Sequence, residues 1–426
     1  MILRNEVNAG RNNDGVEALP VALNSPAQTV KDLVVSPSVR RAFEFFEANA
    51  DAITAEQIAI SSIPAPPFGE RQRAEYLARK FKQLGLEGVE IDAEGNCIGL
   101  RRGRSLQPLL AVSAHLDTVF PDGTDVSVRP ADGKLLGPGI ADDACGLVAL
   151  VALAESLNLT AATTDGSILF VGTVGEEGEG NLRGVRYLFS ESPWAKRING
   201  FISFDGPGAD RIINQALGSR RYRISVTGIG GHSWTDFGVP NPVHAVGRAV
   251  ARLASYPAPR EPRTTFNVGR IEGGTSVNAI PSDAAMDIDL RSSSEVELQR
   301  LDAFFRRAVR EAVDDENGVR RQGFPPLTVN VKLIGERPSG ETRRDSSIVQ
   351  IAVASTNILG FVPKFEQAST DANFPISIGV PSITLGAGGM SGNSHTLEEW
   401  YDPRYRSNGL KRALLVMLGF VGLART

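Results

Sequence analysis

Five places along the chain carry residue types that could bind a cation or move a proton. His115 is followed two positions later by Asp117, Asp142 and Asp143 are adjacent, Glu176 and Glu177 are adjacent, Asp205 stands apart, and His395 comes late. Carboxylates crowded into a poorly hydrated space push one another's pKa upward unless a cation sits among them. Imidazole plus carboxylate without thiolate suits zinc, and also cobalt or manganese, better than iron–sulfur or copper chemistry. Two histidines with three or four carboxylates exceed what one tetrahedral ion takes. Two divalent ions sharing a carboxylate fit the inventory.

The elements that would position these residues can be read from the apolar pattern. Apolar runs at 109–113, 168–174, 201–204 and 382–385 precede His115, Glu176, Asp205 and His395 respectively, and read as buried strands. Asp142 and Asp143 close a Gly-rich loop ahead of a helix at 147–157, where one of them could also serve as its N-cap. Further helices are expected around 42–46 and 74–84. Strands alternating with helices predict an α/β fold with a mixed, mostly parallel sheet covered on both faces. In such sheets ligands lie beyond the carboxyl ends of the strands, which is where the polar residues fall.

After Gly218 the texture changes. Residues 221–227 and 284–290 alternate apolar and polar, as a sheet with one wet face requires, and 242–253 and 295–313 read as helices. An α+β unit at 219–338 is therefore expected inside a catalytic domain split into 38–218 and 339–426. Residues 1–37 are polar and patternless, with Pro20, Pro26 and Pro37, and read as an N-terminal arm.

Composition narrows the function classes. The 426 residues carry 45 Lys+Arg against 49 Asp+Glu, a formal net charge of −4, which lacks the positive field that nucleic-acid binding needs. The pairs Arg220–Arg221 and Arg343–Arg344 read as solvated faces. No apolar run reaches the ~18 residues of a membrane span, and two cysteines make no disulfide scaffold. A cytoplasmic setting is expected. The motifs of a serine-hydrolase elbow, a Walker loop and a dinucleotide fold are absent from the sequence.

The stretches Ser113-Ala-His-Leu-Asp-Thr-Val, Gly137-Pro-Gly-Ile-Ala-Asp-Asp, Gly175-Glu-Glu-Gly and Asn393-Ser-His resemble, in order and spacing, those of the M20 family of di-zinc metallopeptidases. The resemblance runs from about Ser61 to the C-terminus. It implies a zinc-peptidase type catalytic domain with an inserted dimerisation or lid domain, hence a homodimer acting on short peptides. It implies that Asp142 bridges two zinc ions, with His115 and Asp205 on one and Glu177 and His395 on the other. Asp117 would orient the His115 imidazole, and Glu176 would be the general base working on a bridged hydroxide. His232, in Gly228-Ile-Gly-Gly-His-Ser, resembles the lid histidine that stabilises the oxyanion in the partner's site. Asn278 and Arg291 resemble contacts to the substrate carbonyl and carboxylate. Arg337 is a further substrate-binding candidate, and Gly386 could let backbone approach the substrate. Ala144 stands where the family often has Lys. Asp205, where the family's deacylases often have Glu, points to a tripeptidase-like aminopeptidase. An M20-type amidase or deacylase of N-acyl amino acids and a catalytically silent metal-binding protein are the alternatives. His244 reads as structural, and Cys145 as packing.

Overall fold

A computed structural model describes residues 25–424. Its centre is a nine-stranded mixed sheet whose middle strands are Ser167–Thr173, Leu109–His115, Ile198–Phe204 and Ser382–Leu385, running parallel to one another. Every residue of the Leu109–His115 strand is buried. Leu110, Val112 and Ala114 pack into one layer of helices, whereas Leu109 and Ala111 face the layer built by Leu182, Val185 and Leu188. Burial on both faces explains why this strand reads as an unbroken apolar run. The Ala144–Leu159 helix is apolar all round because sheet and helices enclose it.

Edge strands depart from the parallel pattern. Glu87–Ile91 and Cys97–Arg101 extend the sheet antiparallel on one side, and Arg211–Ala216 pairs antiparallel with Ser382–Leu385 on the other. The helix Ala50–Ser61, which the periodicity reading passes over, packs on Ala144–Leu159.

The described part of the expected arm is folded. Residues 1–24 lie outside the described residues, but Pro26–Val35 is a helix capped by the Ser25 side chain, which accepts the Gln28 N–H at 3.3 Å. Its short apolar stripe, Val30 and Leu33, is buried against the Ser347–Ile358 and Arg406–Val421 helices. Tertiary packing thus holds a segment too short to show helical periodicity.

A second sheet orders Thr264–Gly273, Asp283–Ser292, Gly218–Thr227 and Thr328–Arg337, all antiparallel. Tyr222, Ile224, Val226, Met286, Ile288 and Leu290 turn one face toward the helices Pro242–Ala254 and Glu295–Gly318 and form a separate core with them. On the opposite face Arg223 pairs with Asp287 at 3.1 Å and Arg221 with Asp289 at 3.4 Å. Ser219 lies opposite Arg337 in the ladder, so the chain enters and leaves this sheet side by side. Arg220 is not on a solvated face: it pairs with Glu295, Asp302 and Glu336 at 2.8, 3.3 and 3.1 Å. Among the described residues no helix is long and apolar enough to cross a membrane.

Candidate metal centre

Three neighbouring parallel strands end at one rim. His115 closes its strand opposite Thr173, Glu176 and Glu177 follow that neighbour, and Asp205 directly follows Phe204 on the other side. The loop 137–143 brings Asp142 above them. Asp143 N-caps the following helix, and its carboxylate accepts N–H groups from Gly146 at 3.1 Å, His115 at 3.2 Å and Gly206 at 3.2 Å. One buried side chain therefore ties together the ends of two strands and the start of a helix.

Asp142 reaches two imidazoles. Its Oδ1 lies 2.9 Å from His115 Nε2 and its Oδ2 lies 3.0 Å from His395 Nε2, while Glu177 Oε1 is 2.8 Å from His395 Nε2. Candidate ligand atoms of His115, Asp142 and Asp205 all lie within 4.8 Å of one another, as do those of Asp142, Glu177 and His395, and those of His115, Glu176 and Glu177. The first two groups share Asp142 and use every metal ligand expected from the sequence.

The electrostatics show how strongly this cluster draws positive charge. Hydrogen bonds to Asp142 and Glu177 push His395 up to about 10. Burial opposes protonation of His115, yet its carboxylate neighbours hold its pKa well above the usual imidazole range. Burial and the Asp142 charge push Asp205 upward. Glu176 is also raised by burial, against the pull of the Arg337 guanidinium. A divalent cation would meet the same demand for positive charge, and the oxygen and imidazole donors are of the right type for one.

Asp117 meets the His115 imidazole chiefly through its main chain. Its backbone carbonyl is 3.0 Å from His115 Nδ1, whereas its Oδ1 is 3.7 Å away. The carboxylate instead accepts the N–H groups of Glu176 at 3.0 Å and Glu177 at 2.8 Å. Asp117 thus fixes the backbone of the paired glutamates while its main chain sets the His115 tautomer that leaves Nε2 for a ligand.

Two expected substrate contacts are engaged elsewhere. Arg337 is buried, donating to Glu176 Oε1 at 3.0 Å, to Ser369 Oγ at 3.1 Å and to the Glu176 carbonyl. Gly386 is buried against its own chain: a Cβ there would meet the Pro207 carbonyl at 2.1 Å. Its smallness serves the close approach of two loops.

His232, Asn278 and Arg291 belong to the second sheet and its tip. Asn278 O accepts the Ser233 N–H at 3.0 Å, so His232 and Asn278 sit side by side. The His232 Nδ1 accepts N–H groups from Trp234 at 3.2 Å and Thr235 at 3.4 Å, which assigns the proton to Nε2 and leaves an exposed donor. Trp234, Phe237 and Val277 are exposed around them. Arg291 holds Asp289 at 2.6 Å through Nε. His244 is mostly exposed on its helix, 3.5 Å from Glu316, and the Cys145 thiol is buried, donating to the Ala141 carbonyl at 2.9 Å.

Sequence reading misses two buried acids beside the centre. Glu399 accepts three backbone N–H groups of the Asp142 loop, and its position four residues after His395 was an available signal. Asp371 accepts the Thr173 hydroxyl at 2.5 Å behind the His115 strand end, and burial raises its pKa to about 6. Only the tertiary fold places it there.

Residues 111–419 match the Peptidase family M20/M25/M40. A succinyl-diaminopimelate desuccinylase of Nitrosococcus oceani is 30% identical over 241 residues, an alignment spanning 53% of this chain and 64% of that relative. A tripeptidase from Staphylococcus aureus superposes with a TM-score of 0.73 at 21% identity, covering 86% of this chain and 97% of its own. A dinuclear metal-binding peptidase of the M20 family from Bacillus subtilis superposes with a TM-score of 0.64 at 16% identity, covering 88% and 99%. Matched over well more than half of its length, this chain belongs to the Peptidase family M20/M25/M40, a family of hydrolases.

Proposed function

We propose that the chain hydrolyses peptide bonds in short peptides as a tripeptidase-like aminopeptidase, in the cytoplasm, with two divalent ions, most simply zinc and alternatively cobalt or manganese. The observation that supports it best is the Asp142 carboxylate, whose two oxygens each face an imidazole, one at a strand end and the other in a distant turn. In this reading Asp142 is shared, His115 and Asp205 complete one position, and Glu177 and His395 complete the other. Such ions supply Lewis acidity and lower the pKa of water toward neutrality.

The remaining chemistry belongs to the protein. Glu176, grouped with His115 and Glu177 at the rim, takes a proton from the attacking water and returns it to the departing amine. Burial, which raises its pKa, makes it a better proton acceptor than a solvated glutamate. His232 donates from Nε2 to the developing oxyanion. It would do so in the neighbouring subunit of a homodimer, with the exposed Trp234, Phe237 and Val277 as contact surface. Asn278 holds the substrate carbonyl, and Arg291 its carboxylate through the guanidinium fork.

Asp205 in place of Glu favours the aminopeptidase reading. The desuccinylase relative favours a second one, hydrolysis of N-acyl amino acids at the same metal residues. Substrate profiling separates them. Release of N-terminal residues from unblocked tripeptides, in the presence of zinc, cobalt or manganese, is the expected result. Turnover confined to N-succinyl or N-acetyl amino acids would move the assignment to the deacylases.

A further inference from the structure

His115 and Asp205 stand at the ends of buried strands of the central sheet, but His395 lies in the turn between the short paired strands Met390–Gly392 and Trp400–Asp402. It sits in a turn at φ 65°, with Asn393 at φ 57°, and is exposed. A left-handed conformation at a non-glycine residue persists only where its surroundings impose it. Something must hold this turn.

Within the turn the Thr396 N–H and hydroxyl both donate to the Asn393 carbonyl, at 3.2 and 2.8 Å, and the Glu399 N–H donates to the Thr396 carbonyl at 3.2 Å. The turn therefore moves with Glu399. Glu399 is fully buried, and a carboxylate in such a place is costly unless hydrogen-bonded. Its Oε1 accepts the N–H groups of Ala141 at 2.8 Å and Asp142 at 3.0 Å, its Oε2 accepts that of Gly139 at 3.2 Å, and its carbonyl accepts the Gly137 N–H at 2.9 Å. Four contacts from one residue thus wrap the loop that presents Asp142. Gly139 takes φ 72°, and a Cβ there would come within 2.8 Å of the Thr118 side chain, so the loop's curl around the carboxylate needs glycine.

We propose that Glu399 is a positioning residue that locks the Asp142 loop to the His395 turn and so sets the affinity of the metal position formed by Asp142, Glu177 and His395. The other position is less dependent on it, because the Asp143 carboxylate and the sheet hold His115 and Gly206 independently. This rests on the two-ion reading above.

The test is a Zn²⁺ titration of the full chain against a competing chelator, with apo-protein melting measured in parallel. Glu399→Gln keeps the shape but turns an amide donor toward backbone donors. The expected result is one ion held as in wild type and the second weakened about 10–100-fold, the range for residues that orient metal ligands, with apo melting near wild type. His395→Ala should lose the same ion. Glu399→Asp, which keeps the charge but falls one methylene short, should weaken that ion as well, and it carries the test if the glutamine variant does not fold. Wild-type affinity at both positions in the folded variants, or parallel loss of both ions, overturns the proposal. Failure of the wild-type chain to take up two zinc ions would instead overturn the two-ion reading.

Discussion

At the sheet rim, His115, Asp142, Glu177, Asp205 and His395 gather within one chain, two of them buried, two half-buried and His395 exposed, and are tied together by Asp117, Asp143 and Glu399. At the second sheet, His232 and Asn278 stand on an exposed tip with apolar neighbours, and Arg291 lies half-exposed on the polar face. The rim is organised by hydrogen bonds to buried backbone, which fix charge before any ligand arrives. At the tip the His232 Nε2 has no acceptor among the described residues. Such a group acts only when something else is brought to it, a substrate or a second copy. Changes at the rim should therefore remove chemistry or metal, whereas changes at the second sheet should leave metal content untouched.

The largest effect is expected at the shared carboxylate. Asp142→Ala removes a ligand from both positions, so both ions should go, and kcat/KM should fall by roughly 10⁴-fold or more, several kcal/mol of lost stabilisation. Chelation of the wild type should do the same and be reversed by adding zinc. Retained turnover in a metal-free preparation would remove the metal from the proposed reaction. Next comes Glu176→Gln, where kcat should drop by about 10²–10⁴-fold, the span of general-base contributions, while both ions remain by metal analysis. A variant with intact metal and wild-type turnover would place the base elsewhere.

Crossing to the second sheet, His232→Ala should lower kcat by about 10²–10³-fold, the usual loss for one oxyanion donor, with metal content and melting unchanged. Mixing this variant with Glu176→Gln sharpens the comparison. If His232 serves the partner's site, mixed dimers contain one site with both residues intact and recover activity that neither variant has alone. No recovery after verified subunit exchange would assign His232 to its own chain's site.

The contrast also explains what was legible in the sequence. The rim could be read because parallel strands buried on both faces leave unbroken apolar runs, and the polar residue after each run marks a strand end. The second sheet could be read because one wet face forces alternation, visible at Tyr222, Ile224 and Val226 against Arg221 and Arg223. Contacts made across long sequence separations could not. Glu399 acts on a loop about 260 residues earlier, Arg337 meets Glu176 across 161 positions, and Pro26–Val35 is a helix because distant helices cover Val30 and Leu33. Local pattern reports burial and period, not which buried acid faces which backbone amide.

The smallest expected effect tests whether the second sheet touches substrate at all. Arg291 donates through Nε to Asp289, which also takes Arg221, so one acid steadies two guanidinium groups on the polar face. That leaves the terminal nitrogens of Arg291 with no protein acceptor among the described residues, the geometry needed for a fork around a carboxylate. Arg291→Ala should therefore raise KM about tenfold, a loss of ~1.4 kcal/mol, with kcat and metal content near wild type, because the contact is made equally in ground and transition states. Arg291→Lys should recover only part, since a point charge replaces one of two parallel hydrogen bonds. The decisive control is a substrate amidated at its C-terminus. If Arg291 reads the carboxylate, wild type and Arg291→Ala should bind the amide alike; a KM difference that persists on the amide would mean that the residue supports the sheet and not the substrate.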